Sequence, residues 1–360
     1  DKLNDLIGLL KEIATRDIDC CLCTGGLGPT SDDLTAQAVA QAFDLPLQFD
    51  ETAFAAIQAF FQRRGLAMPE LNRKQAFLPR GAMRINNDFG TAPGFCLNHE
   101  NCFFVFLPGV PYEMQQLFTR LVKTELQARF YLAPPRLVTI KTWGLGESQL
   151  QEAISTIPLP KTVALGFRAT LAENQIKLLF PNDYYLKEAD ELVQQMVAKL
   201  GAAVFAVDGL GETVDDLLSV VAALVSEQQL TVALLETVSC GFLAALCVGQ
   251  DWLLEATYQR KFMALAESQL LSHALLLGQA IRAKSGANIA IVQLYAGEAN
   301  AFFHPEQPLT LYNVVITADG FCQQVKTVTG LPQRKQQHAA YASLDLLRRF
   351  LQHHETLCPY

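Results

Sequence analysis

An α/β fold divided among several domains is what this sequence predicts, and three observations carry the prediction. The chain has 360 residues, longer than one hydrophobic core usually grows. Two stretches, 18–35 and 102–117, each read as a short apolar strand, a Gly/Pro turn and a helix, the unit from which doubly wound parallel sheets are built. At Pro134 and Pro135 the chain stiffens and its composition changes, and shorter strands and helices alternate from there.

Taken in order, Leu3, Leu6, Ile7, Leu10, Ile13 and Ala14 recur at helical spacing and predict an amphipathic first helix. An apolar run at 18–23 predicts a strand, and "TGGLGPTSDDLT" at 24–35 follows it. Thr30 or Ser31 is placed to cap a helix through Leu34, Val39 and Phe43, with Asp32 and Asp33 in its first turn. The run at 102–107 predicts a buried strand, Pro108 and Gly109 make its turn, and Pro111 stands where a helix would begin. Past the junction, strands at 137–142 and 175–179 with helices at 148–154 and 185–200 form a small α+β module. "GLGES" at 144–148 and "GLGET" at 209–213 are shared turn chemistry ahead of a helix rather than a repeat. A second α/β domain starts at Gly209, with a helix at 214–228, a strand at 230–235, a turn near Ser239 and a helix at 242–248. Strands at 287–294 and 309–318 and a helix at 336–353 complete it.

Bulk composition narrows the function classes. A net charge of −8 argues against broad capture of nucleic acid or anionic lipid, so an anionic ligand must be held locally. No uninterrupted apolar run reaches roughly 18 residues, which argues against a membrane span. The nine cysteines form no regular framework, and Cys21 and Cys23 are too close for the usual zinc pair. Reduced, mostly buried thiols in a cytoplasmic protein are the expectation. The six histidines show no metal-ligand spacing. The chain opens inside its first helix without an initiator Met, and a leading segment is expected to precede it.

The glycine turn admits two readings. Gly25, Gly26 and Gly28 permit positive φ and close backbone approach, and the following helix start points free N–H groups outward, which suits phosphate. Asp32 and Asp33 would repel a bare phosphate unless they hold a divalent cation shared with its oxygens. The plainer reading is a helix N-terminus whose carboxylates complement the macrodipole.

"TGGLGPTSDDLT", "NRKQAFLPRGAMRINNDFGTAPGF" at 72–95, "FLPGVPYEM" at 106–114 and "GLGESQLQE" at 144–152 together resemble the CinA family, in that family's order and spacing. The resemblance implies a doubly wound, molybdopterin-binding-like domain at 1–135, a KH-type module at 136–208 and an amidase-like α/β domain at 209–360. It also implies ADP-ribose pyrophosphatase activity in the first domain, nicotinamide mononucleotide deamidase activity in the last, Mg²⁺ or Co²⁺ as cofactor, a small nucleotide as substrate and a homodimer. Thr24, Gly25, Gly26, Gly28 and Thr30 would line the diphosphate seat, with Asp32 and Asp33 by the metal. Asn72, Lys74 and Gln75 would face the same cleft, with Lys74 either a countercharge or a solvated surface lysine. Gly90, Thr91, Pro93, Gly94, Pro108, Gly109, Pro111 and Glu113 would form the opposite rim, unless Glu113 only serves its own helix start. Family members carry a strand and a Gly-Thr-Glu-Leu-type turn ahead of the first residue here. That segment is either lost from this domain or absent only from the sequence as given.

Two later features depart from the family. Residues 136–207 lack the Gly-x-x-Gly clamp that KH domains use on nucleic acid, so RNA is not an expected partner. The family's Glu-Ser-Cys-Thr-Gly-Gly turn, whose serine is the nucleophile, corresponds here to Glu236, Thr237, Val238, Ser239, Cys240 and Gly241. Thr237 takes the serine position; a gapped alignment would give the role to Ser239. Tyr258 and Lys261 correspond to the assisting tyrosine and lysine at shortened spacing, and "QLYAGEA" at 293–299 replaces the closing loop. The expected function is thus a metal-dependent nucleotide pyrophosphatase with a silent deamidase-like domain. A non-catalytic nucleotide- or partner-binding paralogue and a molybdopterin-handling enzyme are the alternatives.

Overall fold

The computed structural model describes residues 2–211, 216–259, 267–296 and 299–359. They fall into two compact units, Asp1–Leu132 and Ala133–Tyr360. The first contains α1 (Leu3–Thr15), β1 (Cys20–Thr24), α2 (Thr35–Ala42), β2 (Leu47–Phe49), α3 (Glu51–Arg63), β3 (Phe77–Pro79), β4 (Met83–Ile85), β5 (Gly94–His99), β6 (Cys102–Leu107), α4 (Pro111–Leu117) and α5 (Lys123–Arg129). A 3₁₀ segment at Glu70–Ala76 precedes β3, and a π-helical turn at Phe118–Val122 joins α4 to α5.

Strands run in the order β1-β6-β5-β4. The predicted parallel pairing is that of β1 with β6; β5 and β4 extend the sheet antiparallel. All six residues of β6 are buried, and its alternation shows why. Phe104 and Phe106 pack with Leu10, Val39 and Phe43 from α1 and α2, whereas Phe103, Val105 and Leu107 pack with Leu117 and Val122. A strand covered on both faces needs an unbroken apolar run, and each buried phenylalanine contributes about 1.5–3 kcal/mol.

The second unit begins with β7 (Arg136–Thr142), α6 (Glu147–Ile154), β8 (Ala164–Ala169), β9 (Asn174–Phe180), α7 (Leu186–Leu200) and β10 (Val204–Asp208). These strands form an antiparallel sheet in the order β10-β7-β9-β8. Val138, Ile140, Ile176 and Leu178 meet Leu150 of α6 and Val193 and Met196 of α7 in one core.

There follow α8 (Leu217–Glu227), β11 (Val232–Glu236), α9 (Phe242–Leu246), β12 (Leu253–Tyr258), α10 (Glu267–Ser285), β13 (Ile289–Ala296), β14 (Leu309–Ile316), β15 (Phe321–Val328) and α11 (Pro332–Leu351). Their sheet has the order β12-β11-β13-β14-β15, parallel across the first three strands and antiparallel beyond. Trp143 and Phe205 join the core made by Val221, Leu344 and Leu347, so the two sheets of this unit share packing. Arg348 of α11, fully buried, pairs with Asp345 at 2.6 Å and donates to the carbonyls of Val204 at 3.0 Å and Ala202 at 2.6 Å. A buried guanidinium is tolerated only when paired and hydrogen-bonded in this way.

Among the described residues no helix is long and apolar enough to cross a membrane. All nine cysteines are free thiols.

Candidate functional site

β1 and β6 end side by side, Thr24 opposite Leu107, and both chains turn there on glycine. The Gly25 N–H donates to the Leu107 carbonyl at 2.9 Å, and a Cβ on Gly109 would lie 3.2 Å from the Gly25 Cα. Only two glycines allow backbone to pack on backbone this closely. Gly25 and Gly26 have φ of +96° and +69°, and side chains on Gly26 or Gly28 would collide with Thr35 and with the Asp33 carboxylate.

Helix α2 starts later than the sequence predicts. Thr30 donates to Asp33 Oδ2 from its N–H at 2.9 Å and from its hydroxyl at 2.6 Å. Lys74 Nζ then donates to the carbonyls of Thr30 at 2.5 Å and Asp33 at 2.7 Å. This clamp holds 30–33 as a turn, so Asp32 and Asp33 precede α2 rather than sit in its first turn. Neither Thr30 nor Ser31 caps the helix; its N-cap is Leu34, with no side-chain hydrogen bond.

The helix start is consequently open. The Thr35 N–H is taken by the Gly26 carbonyl at 3.1 Å, but those of Ala36 and Gln37 have no partner among the described residues. The N–H groups of Gly26, Leu27 and Gly28 have none either. These five residues line a cavity of about 230 Å³ together with Asp33, Lys74, Gln75 and Pro93. Gln75 is buried and fixed, accepting from Asn72 Nδ2 at 2.9 Å and donating to the Leu27 carbonyl at 3.4 Å.

The other candidates of this region lie outside that lining. Thr24, Thr30 and Asp32 are exposed, and Asn72 stands behind Gln75. On the expected opposite rim only Pro93 reaches the cavity; Thr91, Pro108 and Pro111 do not. Glu113 accepts from Asn87 Nδ2 at 2.7 Å, and Asn87 Oδ1 accepts from the N–H of Gly90 at 3.1 Å, so this pair shapes the 87–90 loop. Gly94 lies within β5, where a Cβ would come 2.8 Å from the Phe106 carbonyl. Sequence reasoning missed Ala36 and Gln37, which contribute through backbone alone; the signal was the apolar Leu34 in the capping position.

The turn after β11 is built differently. Glu236, fully buried, accepts from the N–H groups of Leu243 and Ala244 at 3.1 Å each and from the Ser239 hydroxyl at 2.5 Å. Thr237 donates its hydroxyl to the Gln293 carbonyl at 2.9 Å. The Gln293 side chain accepts from the Ser239 N–H at 2.8 Å and donates to the Ala339 carbonyl at 3.1 Å and the Ser343 hydroxyl at 3.0 Å. Thr237 and Ser239 are therefore both buried and both engaged. Cys240 and Gly241 turn the chain at φ of +52° and +86°. Burial pushes the Cys240 thiol up, against the pull of a hydrogen bond with Tyr258. Lys261 lies outside the described residues. Gln293, expected within the stretch that replaces the closing loop, lies in β13 instead; a lone glutamine within the apolar strand "IAIVQLYA" is the signal of its central place.

Residues 1–128 match the family model described as "Probable molybdopterin binding domain". The class is thus an α/β protein whose first unit is of molybdopterin-binding type. A CinA-like protein of Shewanella woodyi is 37% identical over 215 residues, 58% of this chain and 49% of that protein. A CinA-like protein of Escherichia coli is 38% identical over 182 residues, 50% of this chain and 45% of that protein. A crystal structure of CinA from Thermoplasma acidophilum shares 32% identity with a TM-score of 0.31, over 34% of this chain and 71% of that one. Over the matched residues the chain is similar to CinA-like proteins. It spans about half the length of the curated relatives named here.

Proposed function

We propose that the first unit binds and hydrolyses a nucleotide diphosphate of the ADP-ribose class with a divalent cation, and that the amidase-like turn of the second unit is silent. One observation carries the first half: five backbone N–H groups without a partner among the described residues belong to residues lining one cavity at the carboxyl ends of two parallel strands. Convergent amides at a helix start favour phosphate oxygens. At about 230 Å³ the cavity suits the diphosphate, with the nucleoside and sugar extending outward.

The donor set fits a hard cation that keeps most of its water. Asp33 lines the cavity with Oδ1 free of the Thr30 hydrogen bonds, and no group of three or more His, Cys, Asp or Glu is placed to hold a metal among the described residues. Magnesium commonly takes one or two carboxylates plus substrate phosphate. Asp33 would hold the ion, which when bound offsets phosphate charge as bonds rearrange. Lys74 adds positive charge while its hydrogen bonds keep the turn in shape.

The second half rests on Thr237 and Ser239, each buried with its hydroxyl donated inside the protein, which leaves neither free to attack. A second reading of the first unit, binding without turnover, is favoured by one fact: of the two aspartates only Asp33 lines the cavity.

The test incubates the protein with ADP-ribose and Mg²⁺ or Co²⁺ and follows AMP release, beside equilibrium dialysis of labelled ADP-ribose and ammonia release from nicotinamide mononucleotide. The expected result is AMP release that EDTA abolishes and that Asp33→Ala lowers at least about 100-fold, with no ammonia. Binding without AMP supports the second reading. Absence of both binding and AMP refutes the seat itself, and ammonia release refutes the silent turn.

A further inference from the structure

The second unit holds a larger cleft, of about 400 Å³, that neither site above uses. Its walls include Trp143, Lys326, Arg334 and His338, together with Glu173 and Asn174 at the start of β9. The Lys326 ammonium lies 3.9 Å from the centre of the Trp143 ring. Gly144, at φ +90°, makes room for it, since a Cβ there would stand 3.1 Å from Nζ. His338 meets the same indole edge-on at 5.3 Å, one helical turn past Arg334 on α11.

Neither Lys326 nor Arg334 has a carboxylate within 4 Å or a hydrogen-bond acceptor among the described residues. A half-buried ammonium without a counterion is costly. Burial pulls the Lys326 pKa down, against a smaller upward pull from Asp345. His338 is driven down to about 4, by burial first and then by Lys326 and Arg334, so it is neutral at neutral pH and offers a polar nitrogen without adding charge. The nearby Asp345 carboxylate is paired with Arg348, so the two cations at this opening have no ion-pair partner of their own among the described residues.

We infer that this cleft binds a small phosphate monoester whose remainder is neutral and rich in hydroxyls, the sugar phosphates being the class. The phosphate sits between Lys326 and Arg334, where a point charge and a planar fork suit its oxygens. Glu173 opposes a second anionic group in the cleft, while its carboxylate and the Asn174 side chain suit hydroxyls. The volume lies within the range of small-molecule sites.

Isothermal titration calorimetry of the intact chain with ribose 5-phosphate, glucose 6-phosphate and orthophosphate tests this. The expected result is saturable binding of a sugar phosphate, tighter than that of orthophosphate, weakened at least about tenfold by Arg334→Ala and by Lys326→Met. Gly26→Ala, which closes the glycine turn of the first unit, should leave that binding intact. Arg334 is exposed, so its variant should keep the parent melting curve. In an NMR titration the bound phosphate should also raise the His338 pKa. No binding of either sugar phosphate, or binding that survives Lys326→Met combined with Arg334→Ala, overturns the inference.

Discussion

Two strand–turn–helix junctions in this molecule, at 24–37 and 236–244, share a topology and end in opposite states. Each follows the carboxyl end of a parallel strand and uses left-handed backbone to reach a helix. In the second, the strand's own last residue, Glu236, returns its carboxylate to two amides at the start of α9. In the first, Asp33 is drawn to Thr30 instead, and the start of α2 is left open beside a cavity. The difference teaches that a glycine turn does not by itself make a ligand seat. What matters is whether a side chain of the protein already occupies the place where the anion would sit.

The largest effect that separates the two belongs to Gln293→Ala. It would leave the Ser239 N–H without an acceptor and the Ser343 hydroxyl without a donor, and would take from the Ala339 carbonyl one of its donors, in a site with no solvent exposure at Gln293. A loss of about 4 kcal/mol is expected in urea unfolding. A loss under about 1 kcal/mol would mean that the closed junction is not held by its own hydrogen bonds. Glu236→Gln comes next, since an amide can satisfy fewer of the three donors around it; about 2 kcal/mol is expected by the same measurement.

How far these states were legible in the sequence depended on the range of the forces involved. The buried strand β6 was readable because a run covered on both faces must be apolar throughout, and the parallel pairing of β1 with β6 followed from their matching turns. Strands β8 and β12 were missed: half-exposed, with mixed patterns, they resemble surface loops. The start of α2 was misread because the clamp on 30–33 comes partly from Lys74, 44 residues along the chain from Thr30. Gln293 likewise acquires its place only when β13 pairs with β11 and α11 packs nearby. Local turn chemistry was visible; which side chains close or open each turn was decided by distant partners.

Lys74→Met tests the open junction from that distance. The lysine is exposed, so its two hydrogen bonds to carbonyls should contribute only about 1 kcal/mol to stability. ADP-ribose affinity should nonetheless fall about tenfold, because the turn loses its clamp and the cavity a positive charge. Dialysis beside thermal melting separates the two effects. A fall in stability with unchanged affinity would make Lys74 a structural residue only.

The smallest change in stability, and the sharpest comparison, comes from giving the first junction the feature that closes the second. Leu34 occupies the N-cap of α2 at φ −111° and ψ 0° without a side-chain acceptor, and Asp at that position, once its backbone turns to the extended form of a cap, can accept from the N–H groups of Ala36 or Gln37. Leu34→Asp should therefore raise stability by about 0.5–1 kcal/mol, less whatever apolar contact the half-buried leucine provides. The same carboxylate would stand where the diphosphate is proposed to sit, and ADP-ribose affinity should fall at least about tenfold by repulsion and by loss of donors. Leu34→Ala supplies the control: it removes the leucine without adding an acceptor and should leave affinity near the parent value. If the Asp variant is stabilised while its affinity is unchanged, the open amides of α2 do not hold the ligand, and the contrast between the two junctions is one of architecture without functional meaning.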